Sequence, residues 1–364
     1  MPTTASILAL LAVRVAAVGL VTVATDATTG FCDLAWSAIV HGHVLHVLGW
    51  ASATAEFTVA TSKMEALAVF AREAAATSPD ELVLAVDGYD VVVQASRAAI
   101  TRQVRAAAPG VALGDTVLFS GENYCAPSFS LGGRPRCVAA YPNAAFHVNR
   151  RLACVRKNRG VLPQTACALG PPWDAAELMF PFANVGMIAA TSAALNKTLA
   201  AYEAITAEWP KLASVADQGR FHALMRRRHI AAKNSAPGIR FAVDAHAHAF
   251  LNLCCPRLEL FDQGVVTVGS DGILRLRGAT TAPGALQWPG STAYLPSHRR
   301  VVLAIRARAL RSTFSALVDG VHLNGADRNQ AAAWLAPCAT RYSNTTLPRQ
   351  PPPPRIRPID RSVT

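Results

Sequence analysis

Lysine is scarce in this chain: five of its 35 basic residues are Lys and the rest are Arg. The arginines are scattered, and no basic stripe is interleaved with aromatics, so the net charge of +12 reads as compositional bias and not as a nucleic-acid face. Charged residues make up only 16% and hydrophobic ones 51%, which excludes global disorder and leaves enough apolar side chain for a large core. No uninterrupted apolar run approaches the ~20 residues that span a bilayer, so no clear transmembrane helix is expected. No CxxC pair is present, which argues against a structural zinc site. No internal repeat is present either.

Eight cysteines are present: Cys32, Cys125, Cys137, Cys154, Cys167, Cys254, Cys255 and Cys338. Their even number, with the sequons at Asn196 and Asn344, points to a disulfide-permitting secretory compartment: the endoplasmic reticulum or Golgi lumen, or the exterior. Four of them, Cys125 to Cys167, fall in a loop-rich segment that suits local staples, and no pairing follows from the sequence. Residues 1–18 read as a weak or truncated targeting segment without a basic start. Residues 347–364 hold Pro351 to Pro354 and read as a proline-rich disordered tail. Residues 19–346 between them form one expected domain.

That domain opens as β-α-β. Leu20 to Thr25 and His43 to Leu48 read as strands, with a helix at Phe31 to Ile39 between them. His41, His43 and His46 do not share a strand face, so they are not expected to form a metal cluster. Thr58 to Ser62 reads as a loop, and a helix is expected from Lys63 to Thr77. Leu82 to Val86 is an apolar run suited to a parallel strand buried on both faces. Helices follow at Ser96 to Ala108, from Leu195, and near Asp217, where an acid can serve the helix start or catalysis. A last helix is expected from Gln330.

Asp87-Gly88-Tyr89-Asp90 closes the buried strand. Open α/β sheets bind ligands beyond the carboxyl ends of their strands. Two carboxylates there, with Gly88 loosening the backbone, can reach one hard cation. Asp and Gly also build ordinary turns, and spacing alone leaves both readings open. A second pattern, Asp244-Ala245-His246-Ala247-His248, places two histidines at i and i+2 and offers an iron-oxygenase alternative.

Nine segments then fall in a familiar order: Leu20 to Thr25 with Gly30-Phe31, Val47-Leu48-Gly49, Lys63, Val86 to Asp90, Glu122 to Pro127, Asn184 to Ile188, Asp217-Gln218, Phe250 to Leu253, and His322 to Gly325. From about Gly19 to Leu335 the chain resembles the glycosyltransferase domain of the procollagen-lysine hydroxylase/glucosyltransferase enzymes. The resemblance implies an α/β fold of the GT-A type, a mixed, mostly parallel sheet flanked by helices. It implies a UDP-sugar donor carrying glucose or galactose, a Mn2+ ion, and a hydroxyl acceptor on a protein or glycan, hydroxylysine of collagen-like protein included. By the same resemblance Asp87, Asp90 and His322 hold the metal. Tyr89 stacks on the uracil, Thr25 lines that pocket, and Lys63, Asn324 and Gly325 contact phosphates or sugar. Asp217 and Asn184 stand at the reacting sugar. The family carries a longer acidic run where this chain has Asp217 alone before Gln218, so a non-catalytic sugar-nucleotide or partner-binding protein is the alternative.

Overall fold

A computed structural model describes residues 19–50, 59–108, 113–122, 180, 182–209, 217–232, 238–253, 266–269, 271, 273–276, 281–287, 314–323 and 327–343. The chain begins as β1 (Leu20–Val23), α1 (Thr29–Val40), β2 (Leu45–Leu48), α2 (Val59–Thr77) and β3 (Leu82–Asp87). Next come β4 (Val91–Val93), α3 (Arg97–Ala107), β5 (Thr116–Glu122), β6 (Phe182–Thr191), α4 (Ser192–Glu208) and α5 (Asp217–Ala232). The strands β7 (Arg240–Asp244), β8 (Phe250–Asn252), β9 (Val266–Val268), β10 (Leu274–Leu276) and β11 (Ala285–Gln287) follow. The last elements are α6 (Phe314–Gly320), β12 (Val321–Leu323) and α7 (Arg328–Ser343).

Seven strands form one sheet in the order β12-β2-β1-β3-β6-β5-β7. The first four are parallel, β6 runs antiparallel to both neighbours, and β7 returns parallel to β5. The fold is therefore α/β with a mixed sheet, of the GT-A-like kind expected. It corrects one detail: β3 is parallel to β1 on one side and antiparallel to β6 on the other. Burial on both faces comes from the helices and does not require parallel neighbours on both edges.

Each face carries its own core. Phe31, Leu34 and Ala35 of α1 pack with Leu45, Val47, Leu84 and Val86 on one face, together with Leu317 and Leu335. On the other face Met64 and Leu67 of α2 and Leu195 and Leu199 of α4 cover Val21, Val23, Val83 and Ala85. Alternation along each strand sends successive side chains to opposite faces, so a run apolar at every position serves both cores.

Helix starts are fixed by side-chain caps. Thr28 accepts from the Phe31 N–H, Ser96 from the Ala99 N–H, and Thr191 from the Ala194 N–H. The α2 start differs from expectation: the helix begins at Val59, so Lys63 lies inside it and not at its first residue. The sequence reads Thr58 to Ser62 as loop because of its polar residues, but from Val59 onward the segment is helical. Cys32 of α1 and Cys338 of α7 form a disulfide across 306 positions, tying the last helix to the first. The expected staples at Cys125 to Cys167 lie outside the described residues, as do residues 1–18 and 347–364. Among the described residues no helix is long and apolar enough to cross a membrane.

A smaller sheet decides the site. After β3 the chain turns through Gly88 to Asp90, and β4 leaves the main sheet to pair antiparallel with β11. Strand β11 also pairs parallel with β8. The register sets Gln287, the last residue of β11, against Val91. A polar side chain from far along the sequence thus arrives beside the acids that follow β3.

Candidate active site

Asp87 pairs with Val23 at the carboxyl end of the parallel strands, where the topology rule places ligands. Its Oδ1 is ion-paired with Lys63 Nζ, which also donates to the Val185 carbonyl at 3.2 Å and lies 3.4 Å from Asp217 Oδ2. Lys63 is almost fully enclosed, with its side chain 8% exposed. Burial alone would lower its pKa, but the Asp87 and Asp217 carboxylates outweigh that and hold it above the usual lysine range. One ammonium therefore joins an acid from the end of β3 to an acid from the start of α5.

Asp217 sits in the first turn of α5, where the positive end of the helix dipole favours a carboxylate. Its Oδ1 also accepts the Gln218 N–H at 2.7 Å. Behind it lies a polar network. Gln218 donates to Glu122, and Asn184 Nδ2 donates to the same carboxylate at 3.2 Å. The register of β6 against β5 shifts between Phe119 and Ser120. The Asn184 Oδ1 accepts the Gly186 N–H at 2.7 Å across this irregularity, and Ser120 Oγ donates to the Asn184 carbonyl at 3.1 Å. Bulged strands re-aim groups beside sites, and here the irregular stretch brings the Val185 carbonyl to Lys63.

Gln287 Nε2 donates to Asp87 Oδ2 at 3.0 Å and to Asp90 Oδ2 at 3.1 Å. The carboxamide lies over Gly186; a Cβ there would run into its nitrogen, oxygen and carbon. Asp90 is pushed up to about 7 by burial and then by the neighbouring Asp87 charge, against the hydrogen bond from Gln287. Its Oδ1 is buried with no hydrogen-bond partner among the described residues.

Tyr89 forms a second wall. Its hydroxyl accepts the Thr25 N–H at 2.7 Å and lies 3.1 Å from Thr25 Oγ1. The N-terminal turn of α1 passes so near that a Cβ on Gly30 would collide with the Tyr89 carbonyl. Tyr89 and Thr25, expected in one pocket, are thus in direct contact.

The structure brings together Asp87, Asp90, Lys63 and Asp217, with Asn184 one hydrogen-bonded residue behind and Tyr89 and Thr25 alongside. It does not bring His322 to them. His322 lies in β12 opposite His46 of β2, with ring centroids 5.1 Å apart. Two strands separate β12 from β3, which sets His322 about 14 Å from the β3 backbone at ~4.8 Å per strand spacing. Asn324 and Gly325 lie outside the described residues. His46 is held down to about 4 by burial, and next by His322. His43 Nε2 is within 2.8 Å of the Ala95 carbonyl, and His41 Nδ1 within 2.9 Å of the Ser37 carbonyl, so the early histidines serve the packing.

The Asp244 motif is not an iron site. Strand β7 ends at Asp244, and His246 and His248 lie on the turn that follows, not on a strand face. Asp244 Oδ1 accepts the His248 N–H at 2.9 Å. Its Oδ2 accepts those of Ala249 and Phe250 at 2.7 and 2.8 Å. Both oxygens are committed to fixing the turn into β8, and Ala247 at φ 53° completes it.

Gln287 was not foreseen from the sequence. It closes a three-residue strand, too short for any periodic signal, and only the pairing of β4 with β11 brings it here. Gln218 and Glu122 belong to the family-ordered segments, and the resemblance assigns neither a role.

The residues fit a divalent cation in part. Two adjacent carboxylates, one with an orphaned buried oxygen and a raised pKa, are relieved by a positive charge between them. Among the described residues, no group of three or more His, Cys, Asp or Glu side chains gathers around such a site. No curated protein matches the chain. A family model described as the PLOD GT domain matches residues 15–151, which include Thr25, Lys63, Asp87, Tyr89 and Asp90. The match covers less than half of the chain, and over that segment the chain is similar to a PLOD-type glycosyltransferase domain.

Proposed function

We propose that this protein is a metal-dependent glycosyltransferase. It moves a hexose, glucose or galactose, from a UDP-sugar to a hydroxyl on a protein or glycan, hydroxylysine of collagen-like protein among the acceptors. The observation that carries this reading is the pairing of Asp87 and Asp90 at the carboxyl end of β3, beside the Tyr89–Thr25 wall. Tyr89 offers its ring to the uracil, and Thr25 holds that ring by its hydroxyl. Asp87 and Asp90 would hold Mn2+, which when bound would neutralise charge on the leaving diphosphate. Lys63 adds a fixed positive charge on the donor side. Asp217 faces the reacting sugar, and Asn184 and Gln218 hold the start of α5 in place behind it. The gain in rate comes from positioning and from charge fixed before the bond breaks. His322 is the third ligand that the family resemblance implies, and the Mn2+ dependence of His322→Ala tests whether it belongs to the metal set. The Cys32–Cys338 disulfide supports a secretory lumen as the place of work.

The test is UDP release with Mn2+ across a panel of UDP-sugars and hydroxyl acceptors. Turnover that depends on Mn2+ and disappears in Asp90→Ala is expected. No transfer or hydrolysis from folded protein with any donor overturns the enzyme reading. The second reading, a sugar-nucleotide-binding protein without turnover, is favoured by the tie of Lys63 to both Asp87 and Asp217. Calorimetry showing UDP and Mn2+ binding without turnover selects it.

A further inference from the structure

We infer that Gln287 completes the cation site as an oxygen ligand beside Asp87 and Asp90. This rests on the metal-dependent reading above and goes beyond it by naming a residue outside the matched segment. Three observations point the same way. Gln287 is 6% exposed, and its carboxamide is aimed between the two carboxylates, within 3.0 and 3.1 Å of their oxygens. Its Oε1 is buried and has no partner among the described residues, so an acceptor stands unused beside the acids. Gly186 leaves the space in which that carboxamide lies.

Without a cation, two neighbouring carboxylates need donors, and the NH2 group of Gln287 meets both. With a cation between them the need reverses, because a hard ion is bound by oxygen lone pairs. The terminal torsion of glutamine is broad and roughly two-fold, so a half-turn exchanges nitrogen for oxygen while Cδ stays in place. The same residue thus holds the empty pair together and ligates the filled one. A lysine or arginine at this position would hold the pair but repel the ion; a glutamate would strain the pair when empty. Carboxamide is the group that serves both states.

The experiment is Mn2+ titration of the full chain with UDP present, followed by calorimetry and by the loss of free Mn2+ electron-paramagnetic-resonance signal. It uses wild type, Gln287→Met, Gln287→Glu and Gly186→Ala. The methionine removes both polar atoms at similar length. The alanine pushes the carboxamide off the acids without placing strain on a special backbone angle. Gln287→Met and Gly186→Ala are expected to lose at least tenfold in Mn2+ affinity, and Gln287→Glu to keep or exceed the wild-type affinity. Wild-type affinity in Gln287→Met, or equal losses in Gln287→Met and Gln287→Glu, overturns the ligand role and leaves the transferase reading standing. Absence of Mn2+ binding by the wild type overturns both. If Gln287→Met does not fold, the contrast between Gln287→Glu and Gly186→Ala decides.

Discussion

Replacing Lys63 with Met is the most direct challenge to the way this site is held together. Lys63 is the buried cation shared by Asp87, Asp217 and the Val185 carbonyl, and its side chain is 8% exposed. Breaking a fully buried ion pair costs about 3–5 kcal/mol, because the remaining charge stays unpaired. Here Asp87 is 30% and Asp217 21% exposed, so water recovers part of that loss. We therefore expect Lys63→Met to destabilise by about 2–3 kcal/mol, from the buried-pair cost discounted for solvent. At roughly 2–4 °C per kcal/mol for a domain of this class, the midpoint falls by about 4–12 °C. A double-mutant cycle with Asp87→Asn separates the pair from general packing, and should return a coupling of about 1–2 kcal/mol. Mn2+ should restore part of the lost stability, because the ion binds the folded acids and not the unfolded chain. The assay is urea denaturation and calorimetric melting with and without Mn2+. A midpoint within 1 °C of wild type in Lys63→Met, or a coupling of zero, would refute the shared-cation account.

Asp90 gives a pH test: its folded pKa is raised to about 7 from the carboxylate value of 3.8, so the native state binds a proton more tightly than the unfolded chain. That contribution is full below about pH 4 and is lost as pH rises through 7; metal-free protein should lose up to about 4 kcal/mol over that range, and Asp90→Asn should flatten the profile measured by denaturant titration. Replacing Cys32 and Cys338 together with Ser opens a link across 306 positions and should cost about 2–5 kcal/mol, read as a lower melting temperature by calorimetry. Asp244→Asn leaves one acceptor oxygen where three backbone N–H groups converge, and should cost about 2–3 kcal/mol. Amide hydrogen exchange at His248, Ala249 and Phe250 should then speed up, and unchanged protection would remove Asp244 as the organiser of that turn.

What could be read from the sequence divides by the range of the forces involved. Leu20 to Val23 and Leu82 to Val86 announced themselves because strands covered on both faces are apolar at every position. Asp87 and Asp90 stood out because a charged pair at the end of such a run is costly unless it meets water or a ligand. The helices at Phe31 to Ile39 and Ser96 to Ala108 were legible in the sequence, while the caps Thr28 and Ser96 that start them emerge only from the structure. Lys63 was named, but its partners were not, since nothing near it in sequence says that α5 will bring Asp217 to the same ammonium. The Asp244 motif could be kept only as an alternative for a related reason: the spacing suits a metal, but the chain turns at Asp244 and both of its oxygens accept backbone N–H groups. His322 shows the same limit from the other side. Its segment fits the family order, yet its register opposite His46 sets it apart from the acids. Gln287 is the extreme case. Its position follows from β4 leaving the main sheet, from the antiparallel register that sets Gln287 against Val91, and from the missing side chain at Gly186. No one of these is local, and Gln287 reaches the two acids only when all three hold. A substitution that breaks any one of them, at Val91, Gln287 or Gly186, should therefore weaken the same carboxylate pair.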